Sequence, residues 1–262
     1  MNSEPLISLI TVTYNAQDTI ERTLRSIEQQ TYRRVEHIIV DGVSADGTMS
    51  RIRNYVERND PQKGHVIRML REPDKGLYDA MNKGIQLATG DYICFLNAGD
   101  KLHAPTTLAE IAKQTEWESG GRNYAILYGE TDLVDNEGRF LRHRRLQTPQ
   151  RLTWSTFKWG MLVCHQSFYV RTDLAKTVPY NLAYRFSADY DWCIRLMKIA
   201  EGRKLKNLNT HLVLTDYLSE GMTTRNHRSS LLERLRVMAT HFGWGTALWQ
   251  HALFVGRAII KK

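Results

Sequence analysis

Five groups of polar side chains interrupt a largely apolar pattern, and their types define the chemistry open to the chain. Thr11, Thr13, Tyr14 and Asn15 bring hydroxyls, an amide and one ring together, a set that can stack and hydrogen-bond a planar heterocycle. Asp41 begins the segment DGVSADG and Asp100 ends NAGD, each following an apolar run. In EPDKGLYDAMNKG the charges of Asp74, Lys75, Asp79 and Lys83 surround Asn82; a lysine there can meet phosphate as a point charge while carboxylates hold hydroxyl groups. FSADYDWCIRL supplies Asp189 and Asp191, either of which could accept a proton at neutral pH. Each group has a plainer alternative. Asn15, Asp41 and Asp100 are residue types that cap helices or hold turns, and Lys83 suits a solvated helix face. Asp191 stands four residues before Arg195, the spacing of a helical ion pair.

The elements that must position these groups follow from the hydrophobic period. Residues 6–14, LISLITVTY, are rich in β-branched side chains and almost continuously apolar, as a central parallel strand covered on both faces must be. Ile20, Leu24 and Ile27 then recur at helical spacing. A second unit pairs a strand at 35–40 with a helix carrying Met49, Ile52, Tyr55 and Val56. A third pairs a strand at 66–70 with a helix carrying Tyr78, Met81 and Ile85, and a strand at 92–96 follows. Three strand-helix alternations predict an α/β fold with a parallel sheet and right-handed crossovers. In such sheets ligands bind beyond the carboxyl ends of the strands, where residues 14–18, 41–47 and 97–100 fall. After Leu102 the alternation stops. The pattern there predicts a helix through Leu108 and Ile111, two strands within 126–143 around a turn at 136–138, strands at 166–170 and 211–218, and a helix over 189–199.

With 262 residues and 42% hydrophobic content the chain can bury a core large enough for one catalytic unit. Cys94, Cys164 and Cys193 are odd in number and show no CxxC spacing, so the cysteines suggest neither a disulfide framework nor a zinc site. The opening MNSEPLISLITVTYN lacks the features of a secretory signal, which predicts a cytoplasmic protein. Net charge is +8, yet residues 225–262 hold seven Arg or Lys against the single acid Glu233. Basic charge confined to one end argues against a nucleic-acid partner and for a local device facing an anionic surface such as membrane lipid.

The ordered blocks ITVTYNAQDTIERTLRSIEQQTY, IIVDGVSADGT, EPDKGLYDAMNKGIQLATGDYICFLNAGD, CHQSFYVR and FSADYDWCIRL resemble the family 2 glycosyltransferases of bacterial surface polysaccharide synthesis, over roughly the first two hundred residues. The resemblance implies a GT-A type α/β fold and transfer of a sugar from a nucleotide-sugar, usually a UDP-sugar, to a saccharide or lipid-linked saccharide. It places Asp41 at the pyrimidine base, with Gly42 where relatives often carry a second acid. Thr11, Thr13, Tyr14, Asn15, Asp74, Lys75, Asn82 and Asn97 would complete the donor site. Relatives bind manganese or magnesium through an acidic motif after the fourth strand; here it reads NAGD, leaving Asp100 as the metal candidate. Asp189 falls at the position of the catalytic base, and His165, Gln166 and Asp191 fall on the acceptor side. Trp154, Phe157 and Trp159 suit either a sugar-stacking wall or the core.

These readings divide the chain into a catalytic domain over 1–222, with a nucleotide-sugar half at 1–102 and an acceptor half at 103–222, and a basic helical extension at 223–262. Within the extension Thr246, Gln250, Arg257 and Lys261 share a narrow helical sector, surrounded by Leu248, Trp249, Leu253, Phe254 and Ile260. Such a helix either lies in the inner membrane interface, beside a lipid-linked acceptor, or docks on its own domain. A nucleotidyltransferase or a dinucleotide dehydrogenase would show a glycine-rich phosphate loop after the first strand, and TYNAQDT is not one. A non-catalytic carbohydrate- or membrane-binding subunit is the alternative from another class.

Overall fold

A computed structural model describes residues 4–60, 62, 64–115, 124–219 and 227–260. Strands β1 (Ile7–Thr13), β2 (Val35–Asp41), β3 (His65–Arg71) and β4 (Tyr92–Phe95) are joined through helices α1 (Ile20–Glu28), α2 (Thr48–Arg58) and α3 (Leu77–Leu87). They form the parallel half of the sheet in the order β3-β2-β1-β4, with Thr13 opposite Asp41 at the shared carboxyl edge. Every residue of β1 and β2 is buried, which explains their unbroken apolar runs, whereas the edge strand β3 is mostly exposed. Helix α3 lies close against β1: a Cβ on Gly84 would stand 2.4 Å from Ile10 Cγ2.

The remaining strands are β5 (Lys101–Leu102), β6 (Tyr124–Val134), β7 (Phe140–His143), β8 (Phe168–Arg171) and β9 (Lys206–Leu218). They extend the same sheet as β4-β8-β6-β9-β5, with β7 beside β6; β8 runs antiparallel to both β4 and β6. The strand expected over 166–170 starts later because His165–Ser167 form a short 3-10 turn, closed by the Ser167 amide donating to the Cys164 carbonyl at 2.9 Å. Strand β9 starts earlier than the expected 211, since its first residues, among them Asn207 and Asn209, are polar and half-buried.

Helices α4 (Thr107–Gln114), α5 (Thr172–Ala175) and α6 (Ala188–Gly202) flank this half. Helices α7 (His227–Phe242) and α8 (Trp244–Ile260) follow and dock on the same body. Val237, Met238 and Ala247 join the main core with Tyr190 and Trp192, and Phe242 stacks on Trp154 with centroids 5.6 Å apart. Phe157 is likewise core, while Trp159 is partly exposed. No described helix is long and apolar enough to cross a membrane.

Candidate active site

Asp189 lies in the first turn of α6, where the positive end of the helix dipole favours a negative charge. One carboxylate oxygen accepts from the Tyr78 hydroxyl at 3.2 Å, and the other faces His165 Nδ1 at 3.3 Å. Burial works to raise the Asp189 pKa, but the hydrogen bond from His165 and the charge of Arg234 outweigh it and hold the carboxyl below its ordinary value. The carboxylate is therefore ionised, and competent as a base, at neutral pH. With Nδ1 directed at Asp189, His165 presents Nε2 to the Asn97 amide at 3.4 Å. Asn97 Oδ1 is left buried with no partner. A relay Asn97–His165–Asp189–Tyr78 thus joins the end of β4, the 3-10 turn, α6 and α3.

Asp100, expected as the metal ligand, is engaged by the protein itself. Its carboxylate is buried and both oxygens are taken, one by the Leu218 amide at 3.0 Å and the other by Gln166 Nε2 at 2.9 Å. Burial pushes its pKa up to about 6. The partnerless oxygen at this strand end belongs to Asn97, where the resemblance implies an acid. Gln166, expected on the acceptor side, is buried and spends its amide NH₂ on Asp100. Asp191, also expected on the acceptor side, is buried between Arg195 Nε at 2.7 Å and His241 Nε2 at 2.8 Å, and so ties α6 to α7.

At the other end of the parallel half, Asp41 is fully buried and holds its own turn, accepting from the Ser44 amide at 3.0 Å and from the Ser44 hydroxyl. Arg71, at the end of β3, reaches Asp41 at 3.3 Å and is half-exposed. Asn15, with φ of 47°, ties the first two loops together by accepting from the Ala45 amide at 2.9 Å. It caps no helix, because α1 begins after Thr19. Tyr14 beside it is 66% exposed, a free ring at the sheet edge. Gly42 matters by what it lacks: a Cβ there would meet Asp74 Oδ2 at 2.4 Å. Asp74 thus lies directly against Gly42, with exposed Lys75 next to it.

Two expected donor residues do not reach this edge. Thr11 is buried within the sheet, donating to the Leu96 carbonyl at 2.8 Å and meeting His37 at 3.0 Å, whereas Thr13 Oγ1, nearer the edge, is buried without a partner. Asn82 clamps the backbone of Tyr180 through both its amide atoms, at 2.7 and 3.1 Å. Among residues not singled out for chemistry, Tyr78, Arg71 and Glu233 contact the site directly: Tyr78 meets Asp189, Arg71 meets Asp41, and Glu233 meets the segment before α6. The first looks like an ordinary apolar helix position, and the second merely ends a strand. Glu233 accepts from the consecutive amides of Arg185, Phe186 and Ser187 at 2.7, 2.6 and 3.0 Å, holding the segment that leads into Asp189.

The family model described as glycosyl transferase family 2 matches residues 8–178, from β1 through α5. The chain belongs to this family. A glycosyltransferase of Mycobacterium tuberculosis described as uncharacterized, Rv1514c, is 30% identical over 98% of this chain and 93% of its own length. A PGL/p-HBAD biosynthesis glycosyltransferase of Mycobacterium bovis is 36% identical over 73% of this chain and 69% of its own. Among solved structures, S. aureus TarS 1–349 in complex with UDP-GlcNAc superposes with a TM-score of 0.65 at 15% identity, covering 96% of this chain and 72% of that one. That likeness establishes the GT-A fold for this glycosyl transferase.

Proposed function

We propose that this glycosyl transferase is an inverting enzyme that moves a sugar from a UDP-sugar to a saccharide or lipid-linked saccharide during surface-glycan synthesis. The observation that carries the reading is Asp189, an ionised carboxylate oriented by His165 and Tyr78 beyond the carboxyl end of β4. The acceptor hydroxyl gives its proton to Asp189 as its oxygen bonds to the anomeric carbon, and the sugar–phosphate bond breaks on the opposite face to release the nucleoside diphosphate. Tyr14 and Arg71 flank the place of the base, and Asp74 and Lys75 the place of ribose and phosphate. A relative named as a PGL/p-HBAD biosynthesis glycosyltransferase supports a biosynthetic role for the transfer. A thermal-shift screen with UDP-, GDP- and dTDP-sugars tests the donor, because a ligand bound only by the folded chain raises its apparent stability. Stabilisation by UDP-sugars above the other two supports the reading, and a preference for GDP- or dTDP-sugars overturns the assigned base.

A divalent cation, manganese or magnesium, would neutralise charge on the leaving diphosphate. The site fits one through Asn97 Oδ1, with phosphate oxygens and water completing its shell. Asn97→Ala should therefore weaken manganese-dependent donor binding by roughly tenfold, about the worth of one ligand-type contact, as measured by calorimetry with and without metal. Asp100→Asn should leave that metal response intact but cost about 1–3 kcal/mol of stability, since an amide NH₂ would face either Gln166 or the Leu218 amide. A folded Asp100→Asn protein that ignores manganese would return Asp100 to the metal.

Membrane contact by the last helix is part of the same proposal. Helix α8 buries Gln250 and Ala247 against the body and turns Trp244, Leu248 and Trp249 outward, with Trp249 67% exposed. Gln250 of the polar sector thus docks inward, while Arg257 and Lys261 lie outside the residues whose side chains are described, and the outward tryptophans are of the kind that enters a lipid interface. Leu248→Glu with Trp249→Glu should reduce sedimentation with anionic liposomes by at least about tenfold, given roughly 1.5–3 kcal/mol for each large apolar side chain buried, and leave nucleotide binding unchanged. Equal sedimentation of variant and wild type would remove α8 from the membrane.

A further inference from the structure

Four neighbouring strands carry one polar row across the sheet. Cα partners in successive pairs place His143 of β7 beside Asp132 of β6, Asp132 beside Asp216 of β9, and Asp216 beside Lys101 of β5. The two central carboxylates are buried, although like charges directly opposite on adjacent strands repel. His143 Nδ1 meets Asp132 at 2.7 Å; His103 Nδ1 and Lys101 Nζ meet Asp216 at 2.7 and 2.9 Å. One ligand atom from each of His103, Asp132 and Asp216 lies within 4.8 Å of the others. Thr215, the preceding residue of β9, donates its hydroxyl to the Gln166 carbonyl at 2.7 Å, on the side of the His165 turn. Strand alternation therefore turns Asp216 to the opposite face, away from the transfer site.

We infer that His103, Asp132 and Asp216 form a second metal site, one that takes a zinc-class dication and fastens β5, β6 and β9 together. Two carboxylates with Lys101 carry a net charge of −1 when the imidazoles are neutral, so a dication relieves the repulsion that the row otherwise contains. An imidazole with two carboxylates selects zinc over magnesium or calcium, which prefer oxygen alone. Zinc bonds of about 2.1 Å set ligand atoms roughly 3.4 Å apart, so side-chain rotation closes the site without moving the strands. His103 coordinates through Nδ1 and keeps its proton on Nε2, and water takes the fourth position. Lys101 and His143 remain on the carboxylates and orient them, as outer partners do at metal sites.

The test uses the full chain stripped with chelator and dialysed against zinc, with metal counted by mass spectrometry, cobalt absorption as a geometric probe, and melting temperature recorded in parallel. One zinc per chain is expected, bound at micromolar affinity or tighter, with tetrahedral cobalt bands and a raised melting temperature. His103→Gln, at a half-exposed position that tolerates change, should lose that equivalent, as should Asp132→Asn once circular dichroism shows it folded. Asn97→Ala should retain it, which separates this site from the transfer site. Absence of bound zinc in the wild type, or an unchanged equivalent in folded His103→Gln, overturns the assignment.

Discussion

Asp189→Asn is expected to lower sugar transfer by a factor on the order of 10² to 10⁴ while donor affinity stays at the wild-type value, the share that a general base contributes. The amide keeps the shape of the side chain and can still accept from Tyr78, but it has no basic lone pair for the acceptor proton. The pH dependence has a definite sign. Because the Asp189 pKa is held below its ordinary value, the base is present throughout the neutral range, and transfer by the wild type declines only as pH falls through that lowered value. Its contribution to stability follows the same direction: present above the unfolded-state pKa and lost as pH falls through the folded one. Asp191→Asn is the control. Its carboxylate binds Arg195 and His241, so the substitution should lower the melting temperature more than it lowers transfer by the folded fraction. Kinetics and melting curves of the two variants, side by side, decide which acid is the base.

Glu233→Ala should give the second-largest effect, and from a residue outside the span of the family match. Three consecutive amides lose a charged acceptor, and hydrogen bonds to charged groups contribute about 1.5–3 kcal/mol each, so a net loss of roughly 2–4 kcal/mol is expected after water reaches the exposed members. The segment that loses its anchor enters α6 just before Asp189. A misplacement of about 1 Å in a reacting group costs on the order of 10²-fold. The turnover number should therefore fall by roughly 10- to 100-fold with the donor KM unchanged, and Glu233→Gln, which keeps one accepting oxygen, should recover part of it. A melting temperature lowered with turnover intact would reduce Glu233 to a structural clamp.

The parallel half of the sheet was legible in advance because strands buried on both faces show it directly in composition. Residues 6–14 and 35–40 are apolar almost without interruption, and β1 and β2 follow them closely. The relay proposed for catalysis was legible in part. Asp189, His165 and Asn97 stand out as polar residues in recognisable blocks, but Tyr78 has the spacing of a core residue, and only its contact with Asp189 distinguishes it. Asp100 and Asn97 could not be ranked from sequence: charge favours the aspartate, while hydrogen bonding leaves the asparagine oxygen free. Thr11 and Asn82 were assigned to the donor by position along the chain, yet position does not say whether a side chain faces the edge or the interior. Glu233 looked like the one exception in a basic tail. Its partners lie 46 to 48 residues earlier, a distance that local pattern does not span.

The most direct test of the account is to follow, by proton NMR, the hydrolysis of α-linked UDP-sugars by the full chain with manganese, water taking the place of the acceptor. An inverting displacement aided by Asp189 predicts that UDP is released and that the β-anomer of the free sugar appears first, before mutarotation, and that Asp189→Asn suppresses it. An α-anomer formed first, or an equal rate in the folded Asp189→Asn protein, would contradict it.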